Sequence, residues 1–325
     1  MVKLKRTENF EYQYIFGKIS GYTTVYNAMD YPFRESIQSM LGFCEEIIVV
    51  EGESTDGTFE ELEKMSAADP RIKIYQNAFP WDEPGADGMQ KAYARALCEN
   101  EFLWQQDCDE IVHEDDYLKI KMITKRFPTN VDILHLPILE LWGNQNEVTG
   151  RRHAWKWRMS RNNPEITHGI NKHARLTDEK TGKIYARDGY SDGCELINVI
   201  SGEMLPHTGF WNEKFETVRL NFPERYAEVM NQVAESLPVV WHYSWYDLPR
   251  KVNQLKKGGV WDRMWSLLYQ KETMERFPGV ETQEQVLELS KQLDEMGGED
   301  TDKLKYKFKL NKAHPKVMED WLKGR

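Results

Sequence analysis

The chain has 325 residues, 40% of them apolar, and a formal net charge of −10. That length suits one large α/β domain with an annex, or two domains, and the apolar share suffices for a substantial core. The acidic balance argues against nucleic acid and anionic membrane as general partners. No apolar run reaches the length of a membrane-spanning helix, and the basic start Met1–Arg6 leads into polar and aromatic residues instead of a signal-peptide core.

In chain order, strand and helix signals alternate over the first 110 residues or so, which predicts a parallel sheet. Ile19 to Val25 reads as a strand and Arg34 to Phe43 as a helix with Ile37, Met40 and Leu41 on one face. Glu46 to Val50 contains Ile47-Ile48-Val49-Val50, a continuous β-branched run expected to be buried on both faces. Asp56-Gly57-Thr58 opens the next helix, with Asp56 as its expected N-cap. A strand over Arg71 to Tyr75, a Pro- and Gly-containing loop over Ala78 to Gly88, a helix over Met89 to Cys98 and a strand over Phe102 to Gln106 complete a doubly wound pattern. Further on, Val131 to Leu139 and Ala154 to Met159 read as strands, and Asn212 to Gln232, Leu248 to Leu268 and Thr282 to Glu295 as helices. The tail from Lys303 to Lys312 alternates lysine with apolar residues. It reads as an edge strand with a solvated lysine face, the other reading being a basic rim near anionic lipid.

The chemistry concentrates at two strand ends. Asp107-Cys108-Asp109 stands where the run Phe102-Leu103-Trp104 stops. Two hard oxygen donors there suit Mg²⁺ or Mn²⁺ shared with a diphosphate; a solvated loop that caps a helix is the alternative. Val49-Val50-Glu51-Gly52-Glu53-Ser54-Thr55-Asp56-Gly57-Thr58 ends a buried strand in an acid and turns into a helix. In open α/β sheets ligands bind outside the carboxyl ends of strands, and an acid there can accept hydrogen bonds from a ribose or a base. Cys44, Cys98, Cys108 and Cys194 have no paired spacing, which fits a reducing compartment and gives neither a disulfide framework nor a zinc site.

These features together resemble the family 2 glycosyltransferases of the GT-A fold. Their pattern is a strand ending in Tyr-Asn or a similar pair, then Val-Asp-Asp-Gly-Ser-Thr-Asp-Gly-Thr, then an acidic DxD motif. Here the matching residues are Thr24-Val25-Tyr26-Asn27, Glu51 to Thr58, and Asp107-Cys108-Asp109. The continuation Glu110-Ile111-Val112-His113-Glu114 and the later His242-Tyr243-Ser244-Trp245 are similar to a bacterial and phage branch concerned with surface glycans. The resemblance spans residues 18–117, about a third of the chain.

The resemblance implies a GT-A fold, with a Rossmann-like nucleotide-binding half over 1–117, an acceptor-binding half over 118–247 and a helical C-terminal extension with a basic tail over 248–325. It implies an inverting transfer from a nucleoside-diphosphate sugar, with Mn²⁺ or Mg²⁺, to a hydroxyl of a glycan, lipid-linked or surface-polysaccharide acceptor. Carried over by position, Tyr26, Asn27, Glu51, Glu53, Lys91 and Asp107 line the donor, and Asp107, Asp109 and His242 meet the metal. Asp188 or Asp192 is the expected base, with Glu195 nearby. Two departures bear on base recognition: Gly52 replaces the second Asp, and Glu53 stands where Gly is usual. The expected location is the cytoplasm, with peripheral attachment to the inner face of the membrane left open.

Among the other histidines, His113 is expected to order the loop after the acidic motif, while His168, His173 and His207 stand close to glycines and hint at loops. Most tryptophans are expected in the core. Arg151, Arg152, Arg158 and Arg161 read as surface charge, the alternative being an anion site. A nucleotidyltransferase would need a Gly-rich basic loop after the first strand, where Tyr26-Asn27-Ala28-Met29-Asp30 stands. An inactive sugar-nucleotide or glycan-binding module and a phage enzyme that glycosylates DNA bases remain the other readings.

Overall fold

A computed structural model describes residues 16–78, 86–127, 129, 131–149, 155–168, 175–177, 184–186, 196–198, 223–256, 282–298 and 307–324. The parallel half is built as β1 (Ile19–Val25), α1 (Phe33–Met40), β2 (Glu46–Glu51), α2 (Thr58–Ala68), β3 (Ile72–Gln76), α3 (Ala86–Ala96) and β4 (Phe102–Gln105). The strands lie in the order β3-β2-β1-β4, all parallel. The chain runs outward from β1 to β3 and then returns to the far side of β1, so the order reverses between β1 and β4. In α/β sheets that reversal opens a crevice at the carboxyl ends of the strands.

The β-branched run on β2 explains why this strand is central. Ile47, Ile48, Val49 and Val50 are all buried. Ile47 and Val49 pack with Ile37, Met40 and Leu62 on one face, and Ile48 and Val50 pack with Tyr22, Ala94 and Leu103 on the other. Successive side chains of a strand point to opposite faces, so one run feeds both layers.

The second half comprises β5 (Glu110–Val112), a 3-10 turn (Glu114–Asp116), α4 (Tyr117–Arg126), β6 (Ile133–Trp142), β7 (Glu147–Thr149) and β8 (Trp155–Arg161). The short strands β9 (Ile166–His168), β10 (Arg175–Thr177), β11 (Ile184–Ala186) and β12 (Leu196–Asn198) follow. Then come α5 (Pro223–Ser236), β13 (Val240–Trp245), α6 (Leu248–Lys256), α7 (Gln283–Gly298), β14 (Lys307–Lys309), a 3-10 turn (Lys316–Met318) and α8 (Glu319–Lys323). Among the described residues ten strands form one mixed sheet. Strand β8 runs antiparallel between β4 and β6, and β13 lies parallel to β6 and antiparallel to β5. This is the α/β architecture with a mixed sheet and flanking helices that the sequence predicts.

The differences are local. Strand β6 continues to Trp142, past the apolar run that suggested an end at Leu139, and carries Glu140 inside the sheet. The N-cap of α2 is Gly57 at φ 96°, with Asp56 one residue earlier, although Asp56 Oδ1 still accepts from the Thr58 N–H (3.0 Å). Helix α7 opens on a capping box: Thr282 Oγ1 accepts from Gln285 N–H (3.2 Å) and Gln285 Oε1 from Thr282 N–H (2.9 Å). Strand β14 is an edge strand on β7, with Phe308 buried and Lys307 3.3 Å from Glu147. The rest of the predicted helices over 212–232 and 248–268 lies outside the described residues.

Candidate functional site

The crevice between β1 and β4 is walled by the turn after β2 and the loop after β4. Glu51 ends β2 wholly buried. Its Oε1 accepts from Ser54 N–H (2.6 Å), and its Oε2 from Glu53 N–H (3.1 Å) and Gln76 Nε2 (3.3 Å). The carboxylate therefore closes its own turn. Asn27, at φ 45°, ties this turn to β1: its N–H donates to Ser54 Oγ (2.9 Å) and its Oδ1 accepts from Thr55 N–H (2.8 Å). Asp56 Oδ2 adds a bond from Met29 N–H (3.0 Å). Glu53 is exposed at φ 64°, a left-handed conformation that favours glycine. Gly52 lies against Tyr26, where a Cβ would stand 3.1 Å from the ring, so an Asp at 52 would press on that side chain.

The acidic loop is fastened from behind by amides that sequence reasoning missed. Gln106 is wholly buried. Its Nε2 donates to Ser36 O (3.0 Å), Ser36 Oγ (2.9 Å), Ser39 Oγ (3.1 Å) and Glu110 O (2.8 Å), and its Oε1 accepts from Trp104 Nε1 (2.9 Å). Ser36 Oγ also donates to Asp107 O (3.1 Å), and Ser39 Oγ accepts from Val112 N–H (3.2 Å). The only cue in the sequence is the polar pair Gln105-Gln106 at the end of an apolar strand, together with serines on the buried side of α1.

Asp107 is surrounded by cations. Its Oδ1 accepts from Lys91 Nζ (2.9 Å) and Gln105 Nε2 (2.8 Å), and its Oδ2 from Arg158 (3.0 Å), with Lys156 Nζ 3.9 Å away. Lys91 also meets Asp87 (2.7 Å), and Arg158 meets Glu110 (2.6 Å) and Gln105 Oε1. Burial by itself would raise the Asp107 carboxyl, but Lys91, Arg158 and Lys156 outweigh it and hold it well below the usual range. Lys91 is thus buried and ion-paired on α3. Arg158, with 4% of its side chain exposed, is not surface charge. Antiparallel pairing of β8 with β4 brings it alongside the loop.

Asp109 faces β13. Its Oδ1 is 3.3 Å from His242 Nε2, while His242 Nδ1 is 2.8 Å from Glu140 Oε2. Burial would raise the Asp109 carboxyl, but His242 and then Lys251 bring it down. Burial would lower the imidazole, but Glu140 and Asp109 on either side raise it to about 10. Lys251 on α6 donates to Ser244 Oγ (2.8 Å) and lies 5.1 Å from the Trp245 ring.

Asp107, expected to share a cation with Asp109, has both oxygens on cationic partners, Lys91 and Arg158. Among the described residues no cluster of three or more His, Cys, Asp or Glu is poised to hold a metal. Asp109 and His242 do fit a cation that takes its remaining ligands from phosphate and water, as Mg²⁺ and Mn²⁺ commonly do. Their spacing suits neighbouring ligands, and the ring already has a carboxylate on its second nitrogen.

Of the other candidates, His113 Nδ1 accepts from Asp115 N–H (3.1 Å) and orders the turn after β5. His168 is buried against Tyr22 (2.8 Å to its hydroxyl) and belongs to the core. Cys44, Cys98 and Cys108 are free thiols. Asp188, Asp192, Glu195, Arg151, Arg152, His173 and His207 lie outside the described residues.

No protein-family model and no curated protein matches the chain. Among solved structures it is similar to the mannosyltransferase PcManGT from Pyrobaculum calidifontis in complex with GDP-Man and Mn²⁺, at 12% identity over 46% of this chain and 45% of that one, with a TM-score of 0.35. It is also similar to TarS of S. aureus, at 16% identity over 84% of this chain and 48% of that one, with a TM-score of 0.33. For TarS 1–349 in complex with UDP-GlcNAc the identity is 16% over 84% of this chain and 79% of that one, with a TM-score of 0.33. The chain spans about half the length of the first two structures.

Proposed function

We propose that this chain is an inverting glycosyltransferase of the family 2, GT-A type. In this reading it takes a nucleoside-diphosphate sugar as donor, a divalent cation as cofactor, and a hydroxyl of a glycan or lipid-linked chain as acceptor. The observation that carries the reading is the site at the switch point, where an acidic loop after β4 sets Asp109 3.3 Å from His242 beside the cations Lys91, Lys156 and Arg158. In this reading fixed cationic groups stand beside the charge that develops as a diphosphate departs.

In this reading the turn Glu51–Thr58 and Asn27 shape the wall against which the nucleoside lies, and Glu51 acts through that turn. Asp107, held rigid by Lys91 and Arg158, offers an edge to the ribose. Asp109 and His242 hold Mn²⁺ or Mg²⁺, which when bound neutralises the leaving diphosphate. Lys156, with 24% of its side chain exposed, adds positive charge at the rim. The acceptor oxygen attacks the anomeric carbon from the face opposite the diphosphate. Its proton passes to a carboxylate, for which Asp188 and Asp192 are the candidates.

The test is release of nucleoside diphosphate from a panel of nucleotide sugars in Mn²⁺. Asp109→Asn should lower the rate at least 100-fold with the circular dichroism spectrum unchanged. Full activity of that variant in the presence of a chelator would contradict the reading.

A further inference from the structure

The sheet row that carries His242 contains an acid that the motif does not mark. Glu110, His242 and Glu140 are register partners on β5, β13 and β6. Directly opposed residues of neighbouring strands present their side chains on one face, so His242 has an acid on each flank of its own row. The two acids differ in what they hold. Glu110 is committed to the loop: its Oε1 accepts from Arg158 (2.6 Å) and Lys156 (3.3 Å), and its Oε2 from Asp107 N–H (3.3 Å). Glu140 instead reaches the ring, with Oε2 2.8 Å from His242 Nδ1 and 5% of its side chain exposed.

An imidazole presents one nitrogen to a cation, and the bond made by the other nitrogen decides which. We propose that Glu140 is a positioning residue. By accepting the Nδ1–H of His242 it fixes the ring plane and directs Nε2 toward Asp109, so that the two donors are assembled before cation or nucleotide arrives. This rests on the reading above that Asp109 and His242 hold a divalent cation. Without Glu140 only the contact with Asp109 would fix which nitrogen the ring presents.

The test uses the full chain and Mn²⁺ itself as probe, with free Mn²⁺ followed by electron paramagnetic resonance. Glu140→Gln keeps the size of the side chain and removes its charge. It should weaken Mn²⁺ binding by about 10- to 100-fold, the usual range for loss of an outer partner of a metal ligand. Its melting temperature without metal should fall, because a buried partner of His242 is lost, so the affinities are compared at a temperature where both proteins are folded. A second measurement needs no variant: in Zn²⁺-loaded wild-type protein, ¹⁵N resonances of His242 should show Nδ1 protonated and Nε2 bound to metal. Equal Mn²⁺ affinity of Glu140→Gln and wild type, or metal on Nδ1, would overturn the positioning role and leave the transferase reading standing. A wild-type protein that binds no Mn²⁺, with or without nucleoside diphosphate, would overturn both.

Discussion

Asp107 and Asp109 are two residues apart in sequence yet have different cationic partners, Lys91 and Arg158 for the first and His242 for the second. Asp107 belongs to a chain of alternating charge that runs through Asp87, Lys91, Arg158 and Glu110. Removing one member of a buried pair leaves its partner's charge without compensation, at a cost of about 3–5 kcal/mol. Lys91→Met should therefore lower the unfolding free energy by about that much in a denaturant titration, and a loss below about 1 kcal/mol would show that the network is not structural. At Glu53 the backbone sets the outcome. A side chain at φ 64° is strained, and a β-branched one more so. Glu53→Gly should leave stability within about 1 kcal/mol of wild type, because relief of strain offsets the greater freedom of the unfolded glycine chain, whereas Glu53→Val should be clearly destabilising. Equal stability of the two variants would contradict the conformation described for this turn.

The elements show what could be read in advance and what could not. Period and composition located the strands and helices of the parallel half, because β2 is buried on both faces and the helices around it carry one apolar stripe each. The acidic loop and His242 were legible as motifs. Glu140 was not, because its place depends on the register of β6 against β13, and register is a long-range property that no local pattern reports. Arg158 was misread as surface charge for the same reason: only the pairing of β8 with β4 brings it to Asp107. Gln106 gave only a weak cue, since a lone buried amide has value only with its partners on α1.

At the opposite, amino-terminal edge of the parallel strands, Glu46 joins three neighbouring segments. It meets Ser20 of β1, Lys73 of β3 (2.7 Å), the Glu99 N–H (2.9 Å) and Asn100 Nδ2 (3.3 Å). Burial would raise its carboxyl, but Lys73 and Ser20 bring it below the ordinary value. A folded pKa below the unfolded one gives stability that is present above the unfolded value and lost as pH falls through the folded one. Glu46→Gln should thus flatten the acid side of the stability profile and change the neutral plateau to a constant lower level. A variant with the wild-type slope below pH about 4 would rule this linkage out.

For the molecule as a whole, the chain is acidic at −10, and at the carboxyl end of its sheet Lys91, Lys156 and Arg158 stand in ion pairs with Asp87, Asp107 and Glu110. No helix among the described residues is long and apolar enough to cross a membrane. Residues 307–324 return to the main sheet, where Trp321 packs on Tyr243 and Tyr246 and His314 Nδ1 lies 2.7 Å from the Tyr243 hydroxyl, bracing the strand that presents His242. Trp321→Ala should weaken Mn²⁺ binding as well as lower stability; a stability loss with unchanged Mn²⁺ affinity would confine the brace to folding. The central claim is that a cation on Asp109 and His242 joins a nucleoside diphosphate to this fold, and thermal unfolding with UDP or GDP, each with and without Mn²⁺, tests it most directly. A ligand that binds only the folded state stabilises it by RT ln(1 + L/Kd), with L the free ligand concentration, and so raises the melting temperature. A rise is expected for at least one nucleotide in Mn²⁺, little without it, and none for Asp109→Asn. Equal shifts with and without the metal, or a shift that survives Asp109→Asn, would contradict it.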